Sequence, residues 1–503
     1  MQIRDGSTDQ IMGLHTLLEK PVHRIRQNAF AVGLLSLIWF LLRTGTKPSR
    51  AAYPCQRAAA ANSYVWLTVF VLPFLSTVPR GFTARRKLLI SAAIVAVLAS
   101  SLVIYEMWPR PQPPIVALTL TGKSAASQPA SDIFVVNGTS GTDGGVTQLI
   151  NLMGEHELLF YRSSAFGKNR GQIGLFARDD VVLVKVNSQW QERGGTNTDL
   201  LRALIRAILD HPDGFVGEIV VADNGQAQAG STNSGGSFSW GKSNAEDNSQ
   251  SVQKVVDSFA GSYRVSTYLW DAITTKTVKE YSEGDLEDGY IVNATTNPRT
   301  GIKVSYPKFK TKFGTYVSFK HGIWNPETRT YNNKLKVINV PVLKSHSAYG
   351  VTASVKHYMG VVSDILTSRL GASSHQSVGK GGMGTEMVET RYPTLNILDA
   401  IWVNANPGMG PATSYRTATR VNVIAASTDP VAIDYWAAKY ILLQVARIRG
   451  YSGTSSFDPS NNAEGSFGNW LRLSLEEIRK AGYQVTMDEA YMNIYVEHLP
   501  PSS

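Results

Sequence analysis

The first 110 residues gather the excess positive charge of this chain around three apolar segments, and this pattern constrains the fold more than any other feature. They hold 13 of the 49 Lys and Arg residues and 4 of the 39 Asp and Glu residues, which leaves 36 basic and 35 acidic side chains in the rest. Basic residues that flank apolar runs orient proteins in a bilayer. The pattern predicts a membrane anchor before a nearly neutral globular domain, with the lipid bilayer as a partner and no nucleic acid.

Three apolar segments cover, in round terms, residues 29–42, 58–78 and 88–108. They predict a multi-pass membrane region over 1–110 with two or three transmembrane helices, because the first is shorter than the roughly 20 residues that cross a bilayer. The loop between the second and third segments carries four basic side chains: Arg80, Arg85, Arg86 and Lys87. Basic loops of this kind stay in the cytoplasm. The globular domain is therefore expected to be extracytoplasmic, and the reverse orientation is the alternative.

A Pro-rich stretch opens the linker, which we place at 111–131, and the globular domain is expected over 132–503, with room for two subdomains. Cys55 is the single cysteine and lies in the N-terminal region. An iron–sulfur cluster with Cys ligands is therefore excluded in the globular domain. The cofactor stays unknown on these grounds, and a divalent metal held by oxygen ligands stays open.

Strand and helix patterns alternate through the globular domain. Strands are predicted at 132–138, 180–187, 217–224, 335–344, 396–406 and 420–427. A helix after the second strand should be capped by Thr196 or Thr198, and Asp429 should cap a helix over 429–446. Near-continuous apolar strands are typical of sheets buried on both faces. The order predicts an α/β fold, with a mostly parallel sheet that has helices on both faces, preceded by the N-terminal transmembrane helical region.

Polar side chains stand at the ends of three of these strands: Lys185 and Asn187, Asp223 and Asn224, Lys344 and His346. The carboxyl ends of parallel strands form the edge where ligands bind. A Lys at the end of an apolar strand needs an anion or an opening to solvent, because an unpaired buried charge is costly. A neighbouring His adds a group for proton transfer near neutral pH. Each residue alone also fits a surface position or a structural ion pair.

The ordered segments VVLVKVNSQW, IVVADNGQ, VPVLKSHSAYGVTASVKHYMG and IAASTDPVAIDYWAA resemble the family known as domain of unknown function 362, over about 132–446. The resemblance implies that eight positions match the family pattern: Lys185, Asn187, Asp223, Lys344, His346, Lys356, Asp429 and Asp434. Many members carry Cys-rich ferredoxin-like segments, which this chain lacks, and His357 stands where members often have Asn. The family implies no settled activity.

Together these patterns predict an enzyme that acts on a small anionic substrate. The expected catalytic residues are His346 and Lys344, and the expected ligand-binding residues are Lys185, Asn187, Asp223 and Lys356. A divalent metal would be held by Asp223 and Asp429. The alternative is a non-catalytic, membrane-tethered protein that binds a ligand or partner. In that case the Gly-, Ser- and Asn-rich loop over 225–248 could close on the ligand.

Overall fold

The computed structural model describes residues 115–500, apart from 127, 129, 143, 227–235 and 369–372, and a few residues nearer the N-terminus (32, 35–43, 59, 62 and 63). The chain forms two compact units, Met1–Pro111 and Gln112–Ser503. Residues 35–43 of the first unit are helical. Most of the three apolar segments lies outside the described residues. Within the described part, no helix is long and apolar enough to cross a membrane, so the predicted spans stay a prediction.

The second unit is built from strands and helices that alternate along much of the chain. The strands are β1 (Ser131–Asn137), β2 (Tyr161–Arg162), β3 (Arg170–Gly171), β4 (Phe176–Ala177), β5 (Val181–Val186), β6 (Glu218–Asp223), β7 (Val265–Leu269), β8 (Gly289–Val292), β9 (Ser305–Lys310), β10 (Tyr316–Ser318), β11 (Gly322–Asn325), β12 (Thr330–Asn332), β13 (Leu335–Val340), β14 (Val342–His346), β15 (Gly350–Thr352), β16 (Leu395–Asn404), β17 (Thr419–Ser427) and β18 (Met492–His498). The helices are α1 (Gly145–Glu155), α2 (Thr198–Leu209), α3 (Val252–Ala260), α4 (Ser354–His357), α5 (Asp364–Ser368), α6 (Ser374–Ser377), α7 (Gly382–Glu389), α8 (Pro430–Ala437), α9 (Leu443–Ile448) and α10 (Phe467–Lys480).

The main sheet has the strand order β18-β1-β17-β16-β13-β5-β6-β7, and β14 and β15 are attached beside β16. The five strands from β16 to β7 are parallel to their neighbours, whereas β17 is antiparallel to both β1 and β16. The α/β prediction is confirmed, but the sheets are mixed and the prediction of a mostly parallel sheet holds only in part. The connection from β16 to β17, residues 405–418, contains no helix, whereas the crossover between parallel strands is usually helical.

Side chains of the central strands alternate between two apolar cores, one on each face of the main sheet. On β5, Val184 packs in the core that contains Leu201 of α2, and Leu183 packs in the core that contains Ile433 of α8. The helices α1, α2 and α3 cover the first face, and α8 and α10 cover the second. Because strand side chains alternate, Lys185 points to the same face as Leu183. Helices therefore lie on both faces, as predicted.

A second sheet, with the order β12-β11-β10-β9-β8, was not expected from the sequence. All of its neighbouring strands are antiparallel. It contributes Phe309 and Val317 to the same core as Leu183, so it covers part of the second face of the main sheet. Its strands have three to six residues, and strands this short leave only weak alternation in a sequence.

Two local predictions need correction. The strand predicted over 335–344 is two strands, β13 and β14, which are separated by Pro341. Proline has no amide hydrogen for a strand ladder, so the pairing breaks there. The cap of α2 is Asn197, whose side chain accepts hydrogen bonds from two amides of the first turn. The prediction of Thr196 or Thr198 as the cap was therefore wrong, and asparagine is the stronger capping residue. The cap at Asp429 is confirmed, with Pro430 in the first turn of α8.

Candidate functional site

A pocket opens beyond the ends of β5, β6 and β14, on the edge of the main sheet where ligands were expected. Its lining residues are Asn187, Gln189, Trp190, Asp223, Asn224, Gln226, Lys344, His346, Thr352, Lys356, His357, Met359, Gly360, His375 and Pro411. The space between them is about 490 Å³, including the part open to solvent. Five of the predicted catalytic and ligand-binding residues lie in this wall, and their roles stay predictions: Asn187, Asp223, Lys344, His346 and Lys356.

Lys185 forms a fully buried ion pair with Asp223 at the base of this pocket. The strands β5 and β6 are parallel neighbours with Lys185 opposite Ala222, which brings the side chain of Lys185 to the end of β6. Its Nζ lies 2.8 Å from Oδ1 of Asp223. The other carboxylate oxygen, Oδ2, accepts hydrogen bonds from the backbone amide and the hydroxyl of Ser188, at 2.8 and 3.0 Å. The pair is therefore fixed by two further donors.

Gly360 lies directly against this ion pair. A Cβ atom at position 360 would be 2.3 Å from Oδ1 of Asp223 and 2.7 Å from Nζ of Lys185. Both separations are too short for non-bonded atoms, so any other residue would push the two charges apart. The family resemblance includes this Gly within the segment KHYMG, and the close approach gives a physical reason for it.

Lys344 is a buried cation that lacks a carboxylate partner. The strand β14 runs in the direction of β13 beyond Pro341, because both are parallel to β16. This carries the side chain of Lys344 past the end of β13, where Nζ donates a hydrogen bond to the carbonyl oxygen of Gly194. Among the described residues, no Asp or Glu lies within ion-pair distance of it. Burial, and then repulsion by Lys356, lower the pKa of Lys344 to about 7.

Lys356 is a second buried cation in the same wall. It belongs to α4, and its Nζ lies 3.4 Å from the sulfur of Met359 and 5.2 Å from the ring centre of Tyr349. No described carboxylate is within ion-pair distance, and burial lowers the pKa of Lys356 to about 7. The start of α4 is held by Asp434, which accepts hydrogen bonds from the amides of Ser354 and Val355 at 2.7 and 2.9 Å. Asp434 therefore positions the turn that presents Lys356.

His346 lies two residues after Lys344 on β14, so the two side chains leave the strand on the same side. Its Nδ1 accepts a hydrogen bond from the amide of Ala348 at 3.1 Å, which places the proton of the neutral ring on Nε2. Burial, together with the charges of Lys356 and Lys344, lowers the pKa of His346 to about 2. In this state the ring is a neutral hydrogen-bond donor at physiological pH.

His357 follows Lys356 and carries its ring proton on the opposite nitrogen. Its Nδ1 lies 2.7 Å from Oδ1 of Asn339, and the amide nitrogen of Asn339 donates to Oδ1 of Asn396 at 2.9 Å. The carbonyl end of Asn339 therefore faces the ring, and Nδ1 of His357 is the donor. Burial and the charge of Lys185 lower the pKa of His357 well below its ordinary value. A backbone hydrogen bond at Val186 opposes this shift in part, and Nε2 makes no hydrogen bond of normal geometry to a described residue.

Several polar atoms of the lining residues are buried without a partner in the described part of the chain. They are Oδ1 of Asn187, Nε1 of Trp190, Oγ1 of Thr352 and Nε2 of His357. Buried polar groups of folded proteins almost always form hydrogen bonds, and exceptions call for a bound molecule or water. This group includes both donors and acceptors. It would suit a ligand that carries a hydroxyl or carbonyl group beside its charge.

The pocket wall contains a further histidine, His375, which the sequence did not indicate. Nδ1 of His375, on α6, contacts Oδ2 of Asp364, on α5. The other oxygen of Asp364 accepts hydrogen bonds from the amide and the hydroxyl of Ser374, at 2.8 and 2.6 Å. This carboxylate fixes the orientation of the imidazole, an arrangement found where histidines transfer protons. Neither residue follows an apolar strand, so the strand-end pattern could not indicate them.

Asp429 is not brought to this pocket. Its Oδ1 accepts from the amides of Val431 and Ala432, and its Oδ2 accepts from Ser131 and from the amide of Thr486. A carboxylate with four donors is a structural helix cap. The predicted pairing of Asp223 with Asp429 around a metal is therefore absent from the structure. Among the described residues, no group of three or more His, Cys, Asp or Glu side chains could hold a metal ion.

Part of the chain is similar to known proteins. A segment of 117 residues, 22% of this chain, is 34% identical to a protein of Synechocystis sp. described as thylakoid-associated, and it covers 34% of that relative's length. No solved structure matches. Residues 303–439, which include Lys344, His346, Lys356 and Asp434, match the family described as domain of unknown function (DUF362), and this match supports the family resemblance of the sequence.

Proposed function

We propose that the second unit binds a small anion in the pocket at the ends of β5, β6 and β14. The observation that carries this proposal is the presence of two buried lysines, Lys344 and Lys356, with no carboxylate within ion-pair distance among the described residues. Removing an ammonium group from water costs several kcal/mol unless a partner compensates. A bound anion would be that partner for both side chains.

The neighbouring charges support the same proposal. Asp223, the one carboxylate among the described residues of the pocket wall, is already bonded to Lys185 and Ser188. It can therefore offer only part of its charge to Lys344. Both lysines have a pKa of about 7, so each loses its proton easily in the empty pocket. An anion would hold those protons, since an opposite charge favours the charged form of a lysine.

The shape of the pocket narrows the class of ligand. Two lysines line the pocket together with neutral donors and acceptors, such as Trp190 Nε1 and Asn187 Oδ1. The ligand should then be a small carboxylate or phosphate compound with at least one further polar group. Ordered hydrogen-bonding groups in a pocket fix the orientation of a ligand and select among such compounds.

Thermal unfolding in the presence of single anions tests the proposal. Phosphate, pyruvate and lactate should be compared with chloride at equal ionic strength, because a ligand that binds only the folded state raises the melting temperature. We expect at least one of the three to stabilise the wild type and to lose this effect with Lys344→Met. Lys242→Met removes a surface lysine outside the lining residues and is the matched control. Equal responses to chloride and to every test anion would refute an anion site.

We further propose that the N-terminal region attaches the protein to a membrane. Its basic residues flank apolar segments, and the Synechocystis relative is described as thylakoid-associated. The described helical residues 35–43 expose Leu35, Trp39 and Leu42, and Arg43 stacks on the ring of Trp39. Exposed apolar side chains of this kind bind lipid or partner proteins. Recovery of the full chain in the soluble fraction after gentle lysis, without detergent, would argue against attachment.

The side of the membrane is a separate question, and we propose an extracytoplasmic second unit on the basis of the loop over 80–87. A reporter fused to the C-terminus answers it. Alkaline phosphatase should be active in that position, because it requires an extracytoplasmic location. A reporter that is active only in the cytoplasm, such as a fluorescent protein that folds poorly after export, should be dark. The opposite pair of results would reverse the orientation.

A further inference from the structure

We infer that Lys344 is an amine nucleophile and forms an imine with the carbonyl carbon of a small 2-oxo acid held in this pocket. This inference rests on the proposed anion site and adds a reaction to it. The anionic end of the ligand would lie against Lys356, and its carbonyl group would lie against Lys344. The class of ligand is a carboxylate with an adjacent carbonyl group, and pyruvate is the simplest probe.

The three lysines around the pocket differ in what holds their amines. Lys185 is bonded to a carboxylate at 2.8 Å, so its proton is retained and its nitrogen has no free electron pair. Within the part of the chain that the structure describes, Lys344 donates only to a backbone carbonyl oxygen, that of Gly194. A neutral amine can make that hydrogen bond as well as an ammonium group, so the reactive form of Lys344 has a partner in the empty pocket. This separates Lys344 from Lys185 as a nucleophile.

The surroundings of Lys344 favour its neutral form. Its side chain is fully buried, and a second cation, Lys356, lies close enough to repel its charge. Desolvation and a neighbouring cation are the two means by which proteins activate a lysine amine for attack on a carbonyl group. Lys356 is held against Met359 and the Tyr349 ring and remains available for the carboxylate. One lysine would attack, and the other would anchor the ligand.

His346 supplies a hydrogen-bond donor for the carbonyl oxygen of the ligand. It leaves β14 on the same side as Lys344, and its neutral ring carries a proton on Nε2. A neutral imidazole that donates a hydrogen bond polarises a carbonyl group without giving up its proton. His346 would therefore make the carbonyl carbon more electrophilic toward the amine. Its part in the reaction is hydrogen bonding to the substrate oxygen.

The reaction balances without an oxidant or a reductant. The nitrogen of the neutral Lys344 amine forms a bond to the carbonyl carbon, and one amine proton moves to the oxygen to give a carbinolamine. The carbon–oxygen bond then breaks, and the hydroxyl group leaves as water with the second amine proton. The product is a carbon–nitrogen double bond between Lys344 and the ligand, with one molecule of water released.

Trapping with cyanoborohydride tests the inference on the full chain. The protein is incubated with pyruvate at pH 7.5, reduced, and digested for mass spectrometry. We expect one stable adduct on the peptide that contains Lys344. Lactate has the same carboxylate without the carbonyl group, so it should bind and leave no adduct. Lys344→Arg keeps a cation at this position and should bind pyruvate without an adduct, and Lys356→Met should slow adduct formation by about tenfold or more.

Each outcome of this experiment is decisive. Saturable pyruvate binding without an adduct, or an adduct on Lys356 or on surface lysines only, overturns the inference and leaves the anion site intact. Binding of phosphate or lactate but not of pyruvate also overturns it. Failure of phosphate, lactate and pyruvate alike to bind overturns both the inference and the proposed function. If the variants do not fold, mapping of the adduct on the wild type decides the question.

Discussion

Two parts of the same pocket wall treat a buried lysine in opposite ways. At the base, Lys185 is paired with Asp223, whose second oxygen is held by Ser188. Elsewhere in the wall, Lys344 and Lys356 are as deeply buried but have no carboxylate within ion-pair distance among the described residues. This difference separates the buried charges that are neutralised within the fold from those that are available to a ligand. A buried charge that has a partner within the protein is tolerated by the fold, and a buried charge without one requires a partner from outside.

The buried aspartates around α8 belong with the satisfied group. Asp429 and Asp434 each accept hydrogen bonds from backbone amides on both carboxylate oxygens. Neither residue lines the pocket. Burial raises the pKa of Asp434 to about 7 and that of Asp429 to about 6. Their place in the family pattern is therefore explained by the fold, since they hold the helix and the turn behind Lys356.

The largest expected effect is the loss of the ion pair at the base. Lys185→Met should lower the free energy of unfolding by about 3–5 kcal/mol, because Asp223 is left buried without its counter-charge. Chemical denaturation measures this. The double variant Lys185→Met with Asp223→Leu should recover much of the loss, since both charges are then absent. A loss below about 1 kcal/mol in the single variant would show that the pair is not a structural element.

Removal of the carboxylate behind Lys356 should have the next largest effect. Asp434→Ala leaves the amides of Ser354 and Val355 without acceptors, and we expect a loss of about 2–3 kcal/mol in unfolding free energy. Anion binding should also weaken, because the turn that carries Lys356 loses its support. Asp434→Asn retains one acceptor oxygen, so its unfolding free energy should lie between those of the wild type and Asp434→Ala. Unchanged stability of Asp434→Ala would break the proposed link between this carboxylate and the turn.

Substitution of a pocket lysine should weaken anion binding and have little effect on stability, the opposite of what is expected for Lys185. Lys344→Met should weaken binding of the anion by about tenfold or more, which corresponds to about 1.5 kcal/mol for a hydrogen bond to a charged group. Its stability without ligand should stay within about 1 kcal/mol of the wild type or increase, because no charged partner is left unpaired and only the carbonyl oxygen of Gly194 loses a donor. Titration calorimetry and denaturation measure the two quantities. A loss of stability as large as that of Lys185→Met would contradict the distinction between the paired Lys185 and the two pocket lysines.

The pH dependence of stability should show the same distinction with a smaller effect. The pKa of Lys344 is about 7 in the folded protein and about 10.4 in an unfolded chain. Between these values the unfolded chain binds more protons, so the stability of the ligand-free protein should rise with pH. The gain should reach at most about 1.4 kcal/mol per pH unit relative to Lys344→Met. Parallel profiles of the two proteins from pH 7 to 9 would contradict a depressed pKa.

The sequence indicated much of this pocket because of one physical rule. Strands β5 and β6 are parallel neighbours, so Lys185 and Asp223 had to meet at one edge, and β14 runs the same way. Lys356 lies on α4 and was identified through the family pattern alone. His375 and Asp364 lie on short helices with no periodic signal, so they were missed. Asp429 was misplaced because a helix cap and a metal ligand are the same residue type in a sequence.

The fold was less predictable where long-range pairing decides it. The direction of β17 depends on the connection from β16, and nothing in its apolar run distinguishes a parallel from an antiparallel partner. The sheet from β8 to β12 is made of short strands whose tertiary contacts, such as those of Phe309 in the main core, stabilise them more than local preference does. Both features require knowledge of neighbours in space.

Proton uptake on anion binding tests the central claim most directly. Lactate is ionised throughout the range from pH 6 to 8, so any proton taken up must come to the protein. Calorimetry in buffers of different ionisation enthalpy should show uptake that approaches one to two protons per lactate at pH 8 and little at pH 6, because Lys344 and Lys356 each have a pKa of about 7 in the empty pocket. Binding without proton uptake at pH 8 would contradict the claim that these two lysines receive the anion.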